Sequence, residues 1–501
     1  MTFLFRKSVL FKKVCFLLII LSLAGCSNPN SNAIRFGLAS APISLDPRFA
    51  TDATSARINR LLYQRLVDFD EHFRAVPSLA EWELLGDRHY RFKLRDQGRL
   101  FQSGEKLTAN DVKATYDYIL DADNVSPHRG ALLNISNIAV VDSNTIDFFL
   151  KNADPLFPGY LVIGIVPERV AKQGLVLNKR SLGSGQFKYI DWPSNDHLII
   201  ERHRDKQRVE FIHVQDATVR VLKLIRGEID LFQNDLPKEL VRYLENRESI
   251  HVEHCQGSNF SYLGFNLEDP LLKDRRVRQA IAHALDKKSL IQYLLGGETI
   301  SANTLLTPDH WAGLKSASSY EFNLEKSRQL LKSAGYDNSH PLLLEYKTSS
   351  DPFRIRIATI IQQQLAEAGI KVKLRSFDWA TFYGDIKAGR FQMYSLSWVG
   401  INSPDIFRYV FHSASVPPKG ANRGRYNNAL VDTLIDQIES TPDVQVRING
   451  YQQLQQQLLL DLPYVPLWYE EHFMAANDNI SGYQLVKDGN YDGLNDVMKK
   501  L

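Results

Sequence analysis

The chain has 501 residues, 60 Lys and Arg against 57 Asp and Glu, a formal charge of +3, and three cysteines. A leading segment, 1–25, carries Arg6, Lys7, Lys12 and Lys13 and no acidic residue, so the charge of the rest is −1. That balance lacks the basic field of a nucleic-acid binder, and the length is too great for a single core, so two or three domains are expected.

In chain order, the basic start is followed by about ten largely apolar residues (14–23), too few to span a bilayer, which needs roughly 20. Leu23-Ala24-Gly25-Cys26 closes this run and resembles a bacterial lipobox. Residues 1–25 therefore read as a lipoprotein signal peptide, Cys26 as a diacylated first residue of the mature chain and 26–32 as a polar tether. Acyl chains on Cys26 would make a stable membrane anchor. With Cys15 removed and Cys26 lipidated, Cys255 has no intramolecular partner, so no disulfide framework is expected; a buried structural thiol is its expected role.

Residues 33–39 read as a first strand. A Ser44-Leu45-Asp46-Pro47 turn leads to a loop and a helix whose Ile58, Leu61, Leu62 and Leu66 share one face. Thr51 and Asp52, at the end of that loop, read as turn and cap residues. His89-Tyr90-Arg91-Phe92-Lys93-Leu94 alternates polar and apolar side chains, the period of a half-buried strand, and Asp96-Gln97-Gly98 and Ser103-Gly104-Glu105 mark turns. Thr108 with Asp111 resembles a capping box ahead of a helix buried through Val112, Tyr116, Ile119 and Leu120. A hairpin is expected over 135–150 and a helix over 219–225.

The wording of this region carries more than its pattern. Pro77-Ser78-Leu79-Ala80-Glu81-Trp82, Phe92-Lys93-Leu94-Arg95 and Phe101-x-x-Gly104-x-x-Leu107-Thr108-Ala109-x-Asp111-Val112 resemble, in order and spacing, the signature of the extracellular solute-binding proteins of family 5. These are the dipeptide, oligopeptide and nickel receptors of ABC importers. Gly183-Ser184-Gly185-Gln186-Phe187, Gly227-Glu228-Ile229-Asp230, and Phe265-Asn266 followed by Val277-Arg278-Gln279-Ala280 and Ala284-x-Asp286 resemble later motifs of the same family.

The resemblance implies an α/β protein with the two-lobed periplasmic-binding-protein type II fold in its large, three-domain (cluster C) form. The expected division is lobe I over 33–265 with an inserted subdomain at about 77–180, a hinge near Phe265, lobe II over 266–474, and a return segment over 475–501 that completes lobe I. Lobe II has the clearest α/β grammar: strands at 342–347, 370–376 and 391–397 and helices at 353–368 and 379–388, with a right-handed βαβ unit and hence a parallel pair. Residues 463–469 read as an apolar strand belonging to the return.

The implied function is capture of oligopeptides between hinged lobes and delivery to ABC permease subunits, by a monomer lipid-anchored in the cell envelope on the periplasmic side of a bacterial membrane, without catalysis and without cofactor or metal. Rival readings within the class are a nickel chelate, haem, a sugar or a modified peptide as ligand; outside it, a sensory or adhesive lipoprotein.

The best candidate site follows strand 391–397: Trp398, then Ile401, Asn402 and Asp405. It lies at the carboxyl end of a parallel strand, where α/β sheets place their ligands. Trp398 reads equally as a cleft wall or as core packing. Peptide receptors of the family carry, shortly after this Trp, an acid that pairs with the peptide's α-ammonium group. Here Ile401 stands in that place, and an unpaired buried ammonium costs several kcal/mol. Either Asp405 substitutes, or the ligand has a blocked amino end, another orientation or no peptide character. Arg354 and Arg356, ahead of a helix, are candidates for a ligand carboxylate, since a guanidinium pairs with it bidentately; solvated helix-end arginines are the alternative. In the family the loop holding Thr51 and Asp52 borders the cleft, which makes both weak site candidates.

Enzyme signatures are missing from the sequence: it holds no Gly-x-x-x-x-Gly-Lys-[Ser/Thr], no His-Glu-x-x-His and no strand-linked Gly-x-Gly-x-x-Gly, and Gly183-Ser184-Gly185 lacks the spacing of a nucleophile elbow. His251, His254 and Cys255 fall on a strand where His251 and His254 point to opposite faces, which argues against one shared metal.

Overall fold

The computed structural model describes residues 32–500 except 97, 297–298 and 317–319. The signal segment, Cys26 and most of the tether lie outside the described residues.

Alternating and continuous apolar runs assemble, among the described residues, into one eleven-stranded sheet that passes through both lobes. Its order is Ile370–Phe377, Leu342–Ser349, Met393–Trp398, Ile250–Phe265, Tyr464–Asn477, Leu231–Gln233, Ile34–Leu38, Arg208–His213, His197–Arg202 and Phe187–Ser194, with Ile300–Ser301 paired on Tyr464–Asn477. The first three strands belong to the second lobe. They include the parallel pair of the expected βαβ unit, Leu342 beside Ile370 through to Ser349 beside Phe377. Helix Pro352–Glu367 makes the crossover and buries Ile357, Ala358, Ile361 and Leu365.

Two long strands join the lobes. Ile250–Phe265 and Tyr464–Asn477 run antiparallel, and each changes its outer neighbour part-way. Residues 250–256 pair with 471–477, which also pair with Leu231–Gln233 of the first lobe, whereas Phe260–Phe265 pair with Met393–Trp398 of the second. The register shifts between Gln256 and Phe260. Phe265, near which the hinge is expected, is the far end of this strand, opposite Met393, and the change of outer neighbour lies between Gln256 and Phe260. Likewise 464–469 is only the second-lobe half of a strand that continues to Asn477. Gly257 sits at the shift, and a Cβ there would stand 2.3 Å from the Glu470 carbonyl oxygen, so only glycine lets the two crossing strands approach this closely.

The signature region forms a separate four-stranded antiparallel sheet, Ala80–Gly86, His89–Leu94, Thr145–Leu150 and Ile135–Val140, with its own core of Phe92, Val112, Tyr116, Ile119 and Phe148. Helix Ala109–Leu120 begins as its sequence indicates: the Asp111 carboxylate accepts from the Thr108 N–H at 2.7 Å and from its hydroxyl at 2.9 Å. The Gly183-Ser184-Gly185 turn packs against the end of helix Ala53–Leu62, where a Cβ on Gly183 would lie 1.9 Å from the Leu62 carbonyl oxygen.

Candidate ligand cleft

A cleft of about 1210 Å³ lies between the lobes along the crossing strands. Its first-lobe side is Thr54 and Arg57 of helix Ala53–Leu62, His213, and the turn 234–238. Its second-lobe side is Asp351 and Arg354 at the start of helix Pro352–Glu367, with Ser397 and Val399; Trp468 and Glu470 to Phe473 of the second crossing strand form the floor.

Three consecutive polar residues interrupt the otherwise apolar floor strand, and each is satisfied differently. The Glu470 carboxylate accepts from Ser397 Oγ at 2.6 Å and Ser261 Oγ at 2.8 Å, and pairs with Arg354 at 3.3 Å. Burial alone would raise this carboxyl, but the Arg354 charge and the two hydroxyls outweigh it and hold it below the usual range. Glu471 pairs with Lys238 at 2.7 Å and with His254 Nδ1 at 3.2 Å; here too those partners overcome burial, and the carboxyl is depressed while His254 is raised by its bond to Glu471. His472 is held at both nitrogens, by the Asn234 amide at 3.0 Å and the Lys487 carbonyl at 3.2 Å. Burial and the nearby Arg57 lower its pKa and favour the neutral ring.

The turn after strand Leu231–Gln233 is strained. Asn234 and Asp235 both have positive φ, 62° and 60°. The strain is held by Asn234, whose backbone N–H donates to Phe473 O and whose Oδ1 accepts from Phe473 N–H, both at 2.9 Å. Arg220, buried, donates to the Asp235 carbonyl from below. Consecutive non-glycine residues in this region persist only where surrounding structure over-determines them.

Of the residues singled out from sequence, Arg354 lines the cleft, paired with Glu470. Arg356 does not; it points to Glu239 of helix Lys238–Glu245 at 2.5 Å, with both side chains half exposed. Asp52 caps helix Ala53–Leu62 by accepting from Ser55 N–H at 2.8 Å, and Thr51 is exposed in the preceding loop. The next turn of that helix, Thr54 and Arg57, reaches the cleft instead.

Trp398 lies on the face of its strand away from the cleft, since Ser397 and Val399 on either side of it face in. Its ring stacks with Tyr262 at 6.4 Å and lies under the Arg423 guanidinium at 4.4 Å. Of the two readings of this Trp, packing is the one the geometry matches. Ile401 is buried in the second-lobe core and Asn402 is half-buried beside it. Asp405 begins helix Ile406–Phe411, away from the cleft, where burial and the neighbouring Asp154 push its carboxyl up to about 6. Glu439 in the same cluster is pushed up to about 7 by burial, against the pull of Arg408.

His254 is engaged by Glu245 at 2.9 Å as well as by Glu471, and His251 by Glu253 at 2.7 Å. No grouping of three metal-ligating side chains occurs among the described residues. Cys255 is half-buried, not fully buried, and desolvation raises its thiol, which makes it a poor nucleophile. The sequence reading missed Arg57, Asp235, Glu470 and Glu471. A signal existed for the last two: Glu470-Glu471-His472 breaks a run that is apolar from Tyr464 to Tyr469 and again from Phe473.

Two lobes joined by crossing strands around a polar cleft define the architecture of a two-lobed solute-binding protein. The model of the bacterial extracellular solute-binding proteins, family 5 middle, matches residues 74–417, and the chain belongs to that family. It is similar to the oligopeptide-binding protein AppA of Bacillus subtilis, 26% identical with 96% of each chain covered, and to heme-binding protein A of Haemophilus influenzae, 26% identical over 91% of this chain and 90% of that one. Among solved structures, AppA in complex with a nonapeptide superposes with a TM-score of 0.81 at 25% identity, covering 94% of this chain and 99% of the other. NikZ of Campylobacter jejuni, in complex with Ni(L-His), gives 0.82 at 23% identity, covering 93% and 99%.

Proposed function

We propose that this protein is the lipid-anchored receptor of an ABC importer, that its ligands are oligopeptides, and that it hands them to membrane permease subunits as a monomer. The observation that carries the ligand class is the cleft: at about 1210 Å³ it exceeds the roughly 300–1000 Å³ of ordinary small-molecule pockets, and its floor is an extended strand with paired, not bare, charges. Such a chamber suits an extended chain held through its main-chain groups, a mode that tolerates many side chains. The similarity to an oligopeptide-binding protein over nearly the whole chain supports the same reading.

In this reading 33–256 with 472–501 make the first lobe, the subdomain at about 77–180 is inserted in it, and 260–469 make the second. The hinge is Gly257-Ser258-Asn259 with Glu470-Glu471, and closure over a ligand presents a shape that the permease senses. Arg354 is the ligand-facing residue of the second lobe, poised to exchange Glu470 for a ligand carboxylate. Cys26 carries the acyl chains, and the mature protein works outside the cytoplasmic membrane.

Native mass spectrometry of the full-length protein, extracted in detergent from its host, tests the whole reading. Expected are an acylated amino-terminal Cys26 and co-purifying peptides of mixed sequence within a narrow range of length. A metal chelate or another small molecule in the cleft would overturn the peptide assignment, and an unmodified Met1 would overturn the anchor.

A further inference from the structure

The cleft contains eight charged side chains of Asp, Glu, Lys and Arg: Arg57, Asp216, Asp235, Lys238, Asp351, Arg354, Glu470 and Glu471. Six are already committed. Glu470 pairs with Arg354 and Glu471 with Lys238. Asp216 accepts from Val219 N–H at 2.8 Å, and Asp351 from Arg354 N–H at 2.9 Å, each as the cap of a helix. Asp235 and Arg57 remain. Neither forms an ion pair among the described residues, although Arg57 is the leading opposing charge acting on Asp235.

Both are held in place by contacts that leave their charged ends for the cleft. Asp235 is carried on the strained turn, locked by Asn234 to the floor strand and by Arg220 to the lobe beneath; its side chain is open to cleft solvent while protein encloses it elsewhere. The Arg57 guanidinium lies 5.4 Å from the Tyr491 ring centroid and hydrogen-bonds to Tyr491, with no carboxylate paired to it among the described residues. Strain of this kind, stored beneath an unpaired carboxylate, points to a group that the ligand must satisfy.

We infer that Asp235 is the ammonium anchor of this receptor and that Arg57 beside it donates to the first carbonyl of the ligand, so that peptides with a free amino end are selected. The proposal rests on the peptide reading above. It also resolves the puzzle of Ile401: the acid missing after Trp398 is not replaced by Asp405, which lies outside the cleft in its own acidic cluster, but by a carboxylate presented from the opposite lobe. A buried ammonium needs such a partner, and a charge-assisted bond to a carboxylate is the strongest single contact available to it.

The test is isothermal titration of the full-length protein with tetra-alanine and with N-acetyl-tetra-alanine, in the native chain, Asp235→Asn and Arg57→Gln. Asparagine accepts positive φ readily, so Asp235→Asn keeps the turn, and an unchanged melting temperature verifies it. The native protein is expected to bind the free peptide at least about tenfold tighter than the acetylated one, the size of one charge-assisted contact. Asp235→Asn brings the two within about twofold, and Arg57→Gln weakens both alike. Equal binding of the two peptides by the native protein, or discrimination that survives Asp235→Asn, overturns the inference and leaves the peptide receptor standing. Binding of neither peptide overturns the peptide reading and this anchor with it.

Discussion

Segments 234–238 and 398–405 both leave strands that end at the cleft, and they are used in opposite ways. The first turns sharply through two residues of positive φ and presents Asp235 and Lys238 to the cavity. The other sends Trp398 to the far face of its strand, buries Ile401 in the second-lobe core and places Asp405 among other acids. By composition 398–405 is the richer candidate, with an aromatic, an amide and an acid in eight residues. The difference teaches that richness in chemical groups does not locate a site. What matters is which face of the strand each residue occupies, and whether its charge already has a partner.

The contrast can be broken by substitution. The largest effect is expected from Trp398→Ala: with a half-buried ring stacked on Tyr262 and Arg423, it should cost about 2–3 kcal/mol in urea unfolding, less than the full loss of a core aromatic, with peptide affinity within a few-fold of native. A large loss of affinity with no loss of stability would put Trp398 back in the cleft wall. Asp235→Asn is expected to do the reverse, removing the preference for a free amino end while leaving stability unchanged.

A smaller effect separates the acidic cluster from the cleft. Asp405 faces Asp154, Glu439, Ser403 and the Tyr451 hydroxyl, with Arg408 and Arg447 nearby. Its pKa is raised in the folded state, so the fold binds more protons than the unfolded chain between the ordinary carboxylate range and about pH 6. Stability from this group is therefore fully present at low pH and declines as pH rises through about 6. Asp405→Asn should raise stability at pH 7.5 by about 1 kcal/mol and flatten the decline between pH 4 and 6, read by denaturant titration across pH. A variant less stable at pH 7.5 would show Asp405 to be a needed charge. Least of all, Arg356→Gln should change stability by under about 0.5 kcal/mol and peptide affinity by less than about twofold, since its partner Glu239 is as exposed as it is. A tenfold loss of affinity would make that pair part of the binding site.

Much of the fold could be read from order and spacing. Strand His89–Leu94, the Thr108–Asp111 cap, the βαβ unit of the second lobe and the helix expected over 219–225, which forms as Ala217–Ile225, all rest on periodicity and on contacts within a few residues. The place where the lobes exchange was harder to read. Phe265-Asn266 marks the end of a strand, and the shift at 256–260 depends on what lies beside it.

By itself the sequence determined the elements, their caps and turns, the family signature and the near-neutral charge, because each is set by side-chain period, by residues three or four apart or by simple composition. Only the tertiary structure decided which groups would meet a ligand. Glu470 is neutralised by Ser261, Ser397 and Arg354, and Asp235 is aimed by Asn234, Phe473 and Arg220. These partners lie up to 239 residues apart in the chain. Whether a charge is free or already paired is a property of that assembly, since electrostatic compensation depends on distance in space and no local pattern records it.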